Sequence, residues 1–205
     1  MSAPSCTPSS TRESEGTRVV ERERLSLPER EDYWVFGYGS LMWNPGFPHK
    51  EVRIGTLRGY HRDFCVYSFR YRGTPHVPGL VLGLDRGGSC RGMVFRVPWQ
   101  EGEEVLDYLY ERELVTGVYI PRWLYVETEQ GRVTAAGFVV DREHEQYTGK
   151  LSAEHRADLI VQGAGQRGPC SEYLANTVRH LEALDLPDPR LAHLLHLVEE
   201  RCKDQ

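Results

Sequence analysis

Apolar residues first concentrate at Tyr33-Trp34-Val35-Phe36, a β-prone run that stops at Gly37-Tyr38-Gly39-Ser40 and is followed by the turn Asn44-Pro45-Gly46. The run reads as a buried first strand entering a glycine-containing loop. Further strand-like stretches fall near 52–58, 62–69, 79–84 and 90–97, with 74–79 (Thr-Pro-His-Val-Pro-Gly) as a loop. The pattern then turns helical from about Glu101 to Leu114. Two strands follow, Ile120 to Glu127 and Arg132 to Val140, separated by Gln130-Gly131 as in a hairpin. The remainder predicts three helices: Ser152 to Gln162 stopping at Gly163, Pro169 to Leu184, and Pro189 to Arg201 behind Asp188 as N-cap. Tyr173, Leu174, Thr177, Val178, Leu181 and Leu184 form one apolar stripe, and Leu191, Leu194, Leu195 and Val198 another. Strands first and helices later, without β-α-β alternation, predict an α+β fold with a curved or barrel-like sheet covered by helices.

Residues 1–30 are rich in Ser, Thr, Pro, Glu and Arg and read as a flexible N-terminal extension, which leaves 31–202 as one folded domain. A chain of 205 residues supports a single core.

One position breaks the helical pattern. At about 100° per residue, Val105, Leu106 and Leu109 centre one face of the Glu101 to Leu114 helix, while Glu104, Asp107 and Glu111 lie opposite. Glu113 falls on the apolar face. Burial and the negative end of the helix dipole both raise a carboxylate pKa, which suits a base working near neutrality. The same placement also fits a carboxylate paired with a buried-face arginine, or a helix that ends early enough to leave Glu113 exposed. Glu111, on the Asp107 face, reads as a solvated surface charge.

Composition narrows the chemistry. The net charge of −5 comes without a basic cluster, which argues against a nucleic-acid or anionic-membrane surface and leaves a small molecule as the expected partner. No apolar run reaches the roughly 18 residues of a bilayer span, and Met1 to Ser10 lacks a secretory apolar region, so the expected location is the cytosol. The five cysteines, at 6, 65, 90, 170 and 202, are scattered and never form C-x-x-C, which predicts free thiols. His193 and His196 share a helical spacing without an acidic partner set, so no metal is expected. Met42 stands where a dinucleotide fingerprint needs its third glycine, and no Gly-Lys-Ser/Thr follows for a phosphate loop. Ser40 has no glycine two residues before it to form a nucleophile elbow. No cofactor is expected.

The string Trp34-Val35-Phe36-Gly37-Tyr38-Gly39-Ser40-Leu41-Met42-Trp43 resembles the opening of the ChaC family of γ-glutamylcyclotransferases. Further blocks fall in the family's order: Tyr71-Arg72-Gly73-Thr74 with Pro78-Gly79 behind it, Tyr108 to Glu113, Gly117-Val118-Tyr119, Tyr147-Thr148-Gly149, and Gly163-Ala164-Gly165 leading to Glu172-Tyr173-Leu174. The match spans about Tyr33 to Val198. It implies a small mixed β-barrel with flanking helices, a substrate loop at Val35, Phe36, Gly37, Tyr38, Gly39, Ser40 and Leu41, and a catalytic glutamate at Glu113. Arg72 and Tyr147 are secondary candidates, for carboxylate pairing and for hydrogen bonding in the pocket. A surface arginine and a packing tyrosine are their alternatives.

The implied reaction is attack of the α-amine of a γ-glutamyl group on its own γ-carbonyl, which releases 5-oxoproline and, from glutathione, Cys-Gly. The resemblance also admits a non-enzymatic γ-glutamyl-binding regulator, or the same chemistry on other γ-glutamyl amides. A monomer or weak homodimer is the expected assembly.

Overall fold

The strands are β1 (Tyr33–Gly37), β2 (Glu51–Ser68), β3 (Gly79–Val97), β4 (Tyr119–Thr128) and β5 (Gly131–Val140) in a computed structural model that describes residues 22–203. They close into a barrel in the order β1-β3-β2-β4-β5. Neighbours are antiparallel except β1 and β5, which run parallel through Trp34↔Ala135 and Val35↔Ala136. β1 therefore has both edges paired and closes the barrel.

Alternate residues of β1 serve two cores, as the two-residue period of a strand requires. Tyr33 and Val35 join Phe95, Val97 and Phe138 against Val105 and Leu109 of helix α1 (Gly102–Glu113). Phe36 packs with Val94, Leu124 and Val126 in a second cluster. That cluster continues into helices α2 (Ala153–Gln162), α3 (Cys170–Ala183) and α4 (Pro189–Lys203). The continuous apolar run of β1 thus follows from burial on both sides. The Ser152 hydroxyl accepts the His155 amide at 3.2 Å to cap α2. Asp188 accepts the Arg190 amide at 3.1 Å and caps α4. The stripes expected on α3 and α4 are the buried ones, with Leu174, Thr177, Val178 and Leu181 on α3 and Leu191, Leu194 and Val198 on α4.

The strands differ from the sequence expectation in number. The four stretches predicted between 52 and 97 are two long strands, β2 and β3. Gly59, Gly87 and Gly88, which read as interruptions, have φ of +83°, +103° and +69°. The ladder steps from Arg58↔Ser89 to Tyr60↔Arg86, so these glycines bulge both strands at one level without ending them.

A two-residue hairpin, β6 (Ala164–Gly165) and β7 (Gly168–Pro169), also went unpredicted. It packs on the β2–β3 loop backbone to backbone. The Gln166 and Arg167 amides donate to the Arg70 and Tyr71 carbonyls, both at 2.9 Å. A Cβ on Gly163 would lie 2.5 Å from Gly79 Cα, and one on Gly165 2.5 Å from the Arg70 carbonyl oxygen. Gly73 and Gly79 face main chain equally closely.

Of the expected extension over 1–30, residues 1–21 lie outside the described residues. Residues 22–27 lie against the domain. Arg22 donates to the Gly117 carbonyl and to Asp141, the latter at 2.6 Å. Arg24 pairs with Glu103 and Asp107. Leu25 and Leu27 pack on the α1 core. Cys65, Cys90 and Cys170 are free and buried, and Cys202 is free and exposed; Cys6 lies outside the described residues. Burial pushes Cys65 well above the ordinary thiol range and Cys90 and Cys170 up to about 11.

Candidate active site

β1 delivers the chain into a tight turn. Gly39 precedes a single 3-10 turn, Ser40–Met42, closed by the Met42 amide on the Gly39 carbonyl at 2.9 Å. Buried Leu41 and Met42 pin the turn to the barrel. The glycines permit close approach: a Cβ on Gly37 would stand 3.2 Å from Leu41 Cβ and Phe95 Cε2, and one on Gly39 3.1 Å from Leu82 Cδ2. The amides of Gly39, Ser40 and Leu41 donate to no acceptor among the described residues. Three successive N–H groups of this kind suit an anionic oxygen. From behind, the buried Arg62 donates to the Tyr38 carbonyl at 2.6 Å and pairs with Asp188 at 3.0 Å.

Glu113 is the last residue of α1, with its side chain only 19% exposed. Burial raises its pKa, opposed by the Arg112 guanidinium, whose Nε lies 3.3 Å from Glu113 Oε1. The Glu113 charge helps to raise the phenols of Tyr38, Tyr119 and Tyr173. Burial raises all three phenols, Tyr173 to about 12, so each stays neutral. Leu82 orients one of them: its carbonyl accepts from the Tyr119 hydroxyl at 2.7 Å. Of the earlier alternatives, the pairing with an arginine is present, whereas the helix, although it ends at Glu113, does not leave the carboxylate exposed.

Arg112 joins this carboxylate to the loop. Its Nη2 donates to Ser40 Oγ at 2.9 Å, and its Nη1 to the Asn44 carbonyl and the Tyr108 hydroxyl, each at 2.8 Å. Gly46, at φ +74°, leaves the room that Tyr108 occupies; a Cβ there would be 2.9 Å from Tyr108 Cζ.

The other predicted site residues are placed as follows. Val35, Phe36, Gly37 and Tyr38 are all buried, so the accessible part of the loop begins at Gly39. Arg72 lies over the Tyr173 ring at 5.1 Å and donates to the Pro169 carbonyl at 3.1 Å, spanning the pocket wall and the small hairpin. The Tyr147 hydroxyl donates to Asp85 at 3.0 Å, while its side chain packs against the cluster of Cys65, Val66, Val118 and Val140. A separate cleft of about 310 Å³, lined by His61, Asp63, Arg156 and Arg190 among others, shares none of these residues. Arg112, Tyr119, Tyr173 and Arg62 went unrecognised as site residues in the sequence. The first three lay inside quoted motifs, and Tyr173 also read as part of an apolar helix stripe.

A barrel of this topology, with a buried acid beside a glycine turn, defines the γ-glutamylcyclotransferase-like fold. The crystal structure of a yeast γ-glutamyl cyclotransferase specific to glutathione aligns with a TM-score of 0.74 at 22% identity, covering 82% of this chain and 96% of that one. The family model described as ChaC-like protein matches residues 33–201, and the chain belongs to that family. The glutathione-specific γ-glutamylcyclotransferase of Escherichia coli is 38% identical over 174 residues, covering 84% of this chain and 75% of the relative. The glutathione-specific γ-glutamylcyclotransferase 1 of Danio rerio is 34% identical over 165 residues, covering 77% and 84%.

Proposed function

We propose that the chain is a glutathione-specific γ-glutamylcyclotransferase in which Glu113 acts as general acid and base. The observation that carries this reading is a largely buried carboxylate joined through Arg112 to the Gly37–Leu41 turn, whose Gly39, Ser40 and Leu41 amides are free to receive an anionic oxygen. The α-amine nitrogen of the γ-glutamyl group bonds to its γ-carbonyl carbon, and the bond from that carbon to the cysteine nitrogen breaks. Glu113 takes a proton from the attacking amine and returns one to the departing amine, which a carboxylate of raised pKa can do in both directions. Because nucleophile and electrophile share one molecule, the pocket contributes chiefly by holding the glutamyl chain folded. The Gly39, Ser40 and Leu41 amides would hold the substrate α-carboxylate or the developing oxyanion. Arg72 and Tyr147 would act at the pocket edge, Arg72 through the Tyr173 ring that it covers.

Purified protein is expected to release 5-oxoproline and Cys-Gly from glutathione, with Glu113→Gln abolishing turnover while binding persists. An inert wild type that still binds glutathione would instead support a γ-glutamyl-binding regulator. Parallel turnover of γ-glutamyl-alanine and γ-glutamyl-lysine amide tests the glutathione preference. No helix among the described residues is long and apolar enough to cross a membrane. Three buried free thiols support work in a reducing compartment such as the cytosol.

A further inference from the structure

We propose that Arg112 is a positioning residue: one guanidinium fastens the substrate loop to the last turn of α1 and places the fixed positive charge beside Glu113. This rests on the reading of Glu113 as the base.

The side chain is 20% exposed and spends its donors on four groups from two regions far apart in sequence. Ser40 Oγ, the Asn44 carbonyl and the Tyr108 hydroxyl accept at 2.8–2.9 Å, and the Pro45 carbonyl at 3.3 Å. The loop contacts hold the first residue of the Ser40–Met42 turn and the two residues Asn44 and Pro45 just beyond it, so the guanidinium helps to fix where the turn's free amides point. The remaining nitrogen, Nε, faces Glu113. The other groups coupled to the Glu113 charge are Tyr38 from the loop, Tyr119 from β4 and Tyr173 from α3, all neutral phenols. Glu111, on the same helix, is exposed and does not act on it. Among the described residues Arg112 is therefore the formal charge that offsets the burial of Glu113.

The planar fork and the charge are separable by substitution, because lysine keeps the charge but has neither the reach nor the geometry for several acceptors at once. Arg112→Lys is expected to raise KM for glutathione about tenfold, the scale of one lost charge-assisted hydrogen bond, without moving the acid limb of kcat. Arg112→Met is expected to raise KM similarly and also to move that limb to higher pH by about one unit, as loss of an adjacent opposite charge predicts. Ser40→Ala, which removes one acceptor and no charge, should raise KM alone and serves if Arg112→Met does not fold.

A direct readout does not depend on turnover: ¹³C titration of the Glu113 carboxyl, assigned by its absence in Glu113→Gln. An upward shift in Arg112→Met supports the proposal. Superimposable titrations, or equal losses in every variant that merely track melting temperature, would overturn it. If Glu113→Gln retains turnover, the assignment of the base fails, and the titration still reads the effect of Arg112.

Discussion

Glu113 is ionised only against the resistance of its surroundings, and two measurable consequences follow. Its raised pKa places the acid limb of the kcat profile above the ordinary glutamate range, so activity should fall earlier on acidification than for an exposed carboxylate. Stability follows the same displacement. The folded protein favours the protonated acid, so no penalty exists below the unfolded value near about pH 4, and the penalty grows as pH rises through the folded value. Glu113→Gln should therefore melt above the wild type at neutral pH, with the difference closing toward pH 4. Calorimetry at several pH values checks this, and a constant difference would contradict it. Helical phase alone marked Glu113, because an acid on the Val105–Leu109 face is legible in one dimension. Arg112 was not legible in the same way. Its partners, Ser40 and Asn44, are 72 and 68 residues distant, and only closure of the barrel brings them together.

At the scale of elements, glycines were both the clearest signal and the chief source of error. Gly59, Gly87 and Gly88 read as strand ends because a glycine marks a bulge and a break alike in sequence, and only the paired ladder distinguishes them. The contact between the β6–β7 hairpin and the β2–β3 loop is made by main chain, so it leaves no apolar pattern to read. What it does leave is Gly73, Gly79, Gly163 and Gly165. Gly163→Ala should destabilise by about 3 kcal/mol or more, in the upper range of single substitutions, because the new methyl meets backbone that cannot rotate away. Gly39→Ala meets only the flexible end of Leu82, and should cost little stability while raising KM. Urea melts and steady-state kinetics of the two variants test this split.

Across the whole molecule, Arg62 joins parts that no local pattern connects. It lies on β2 and bonds the Tyr38 carbonyl of the loop, the Arg91 carbonyl of β3 and the cap residue of α4. Arg62→Met would remove all three bonds and leave the half-buried Asp188 only its capping amides on α4, and is expected to cost about 2 kcal/mol in chemical denaturation with lost loop order. Residues 22–27 extend the fold beyond the residues that match the family model. Removing Arg22 to Leu27 should lower the melting temperature, because Leu25 and Leu27 cover the α1 core.

The buried thiols have a consequence for the company this protein keeps. At neutral pH a thiol with a pKa of about 11 is ionised in roughly one molecule in ten thousand, and exchange with a disulfide needs the thiolate. The proposed substrate is itself a thiol whose oxidised form is a disulfide. Cys65, Cys90 and Cys170 are sealed from mixed-disulfide formation with it, so shifts in the redox balance of the substrate pool should leave the core covalently untouched. Native protein exposed to glutathione disulfide should carry no adduct at these three positions, and an adduct at any of them without unfolding would show that the core opens.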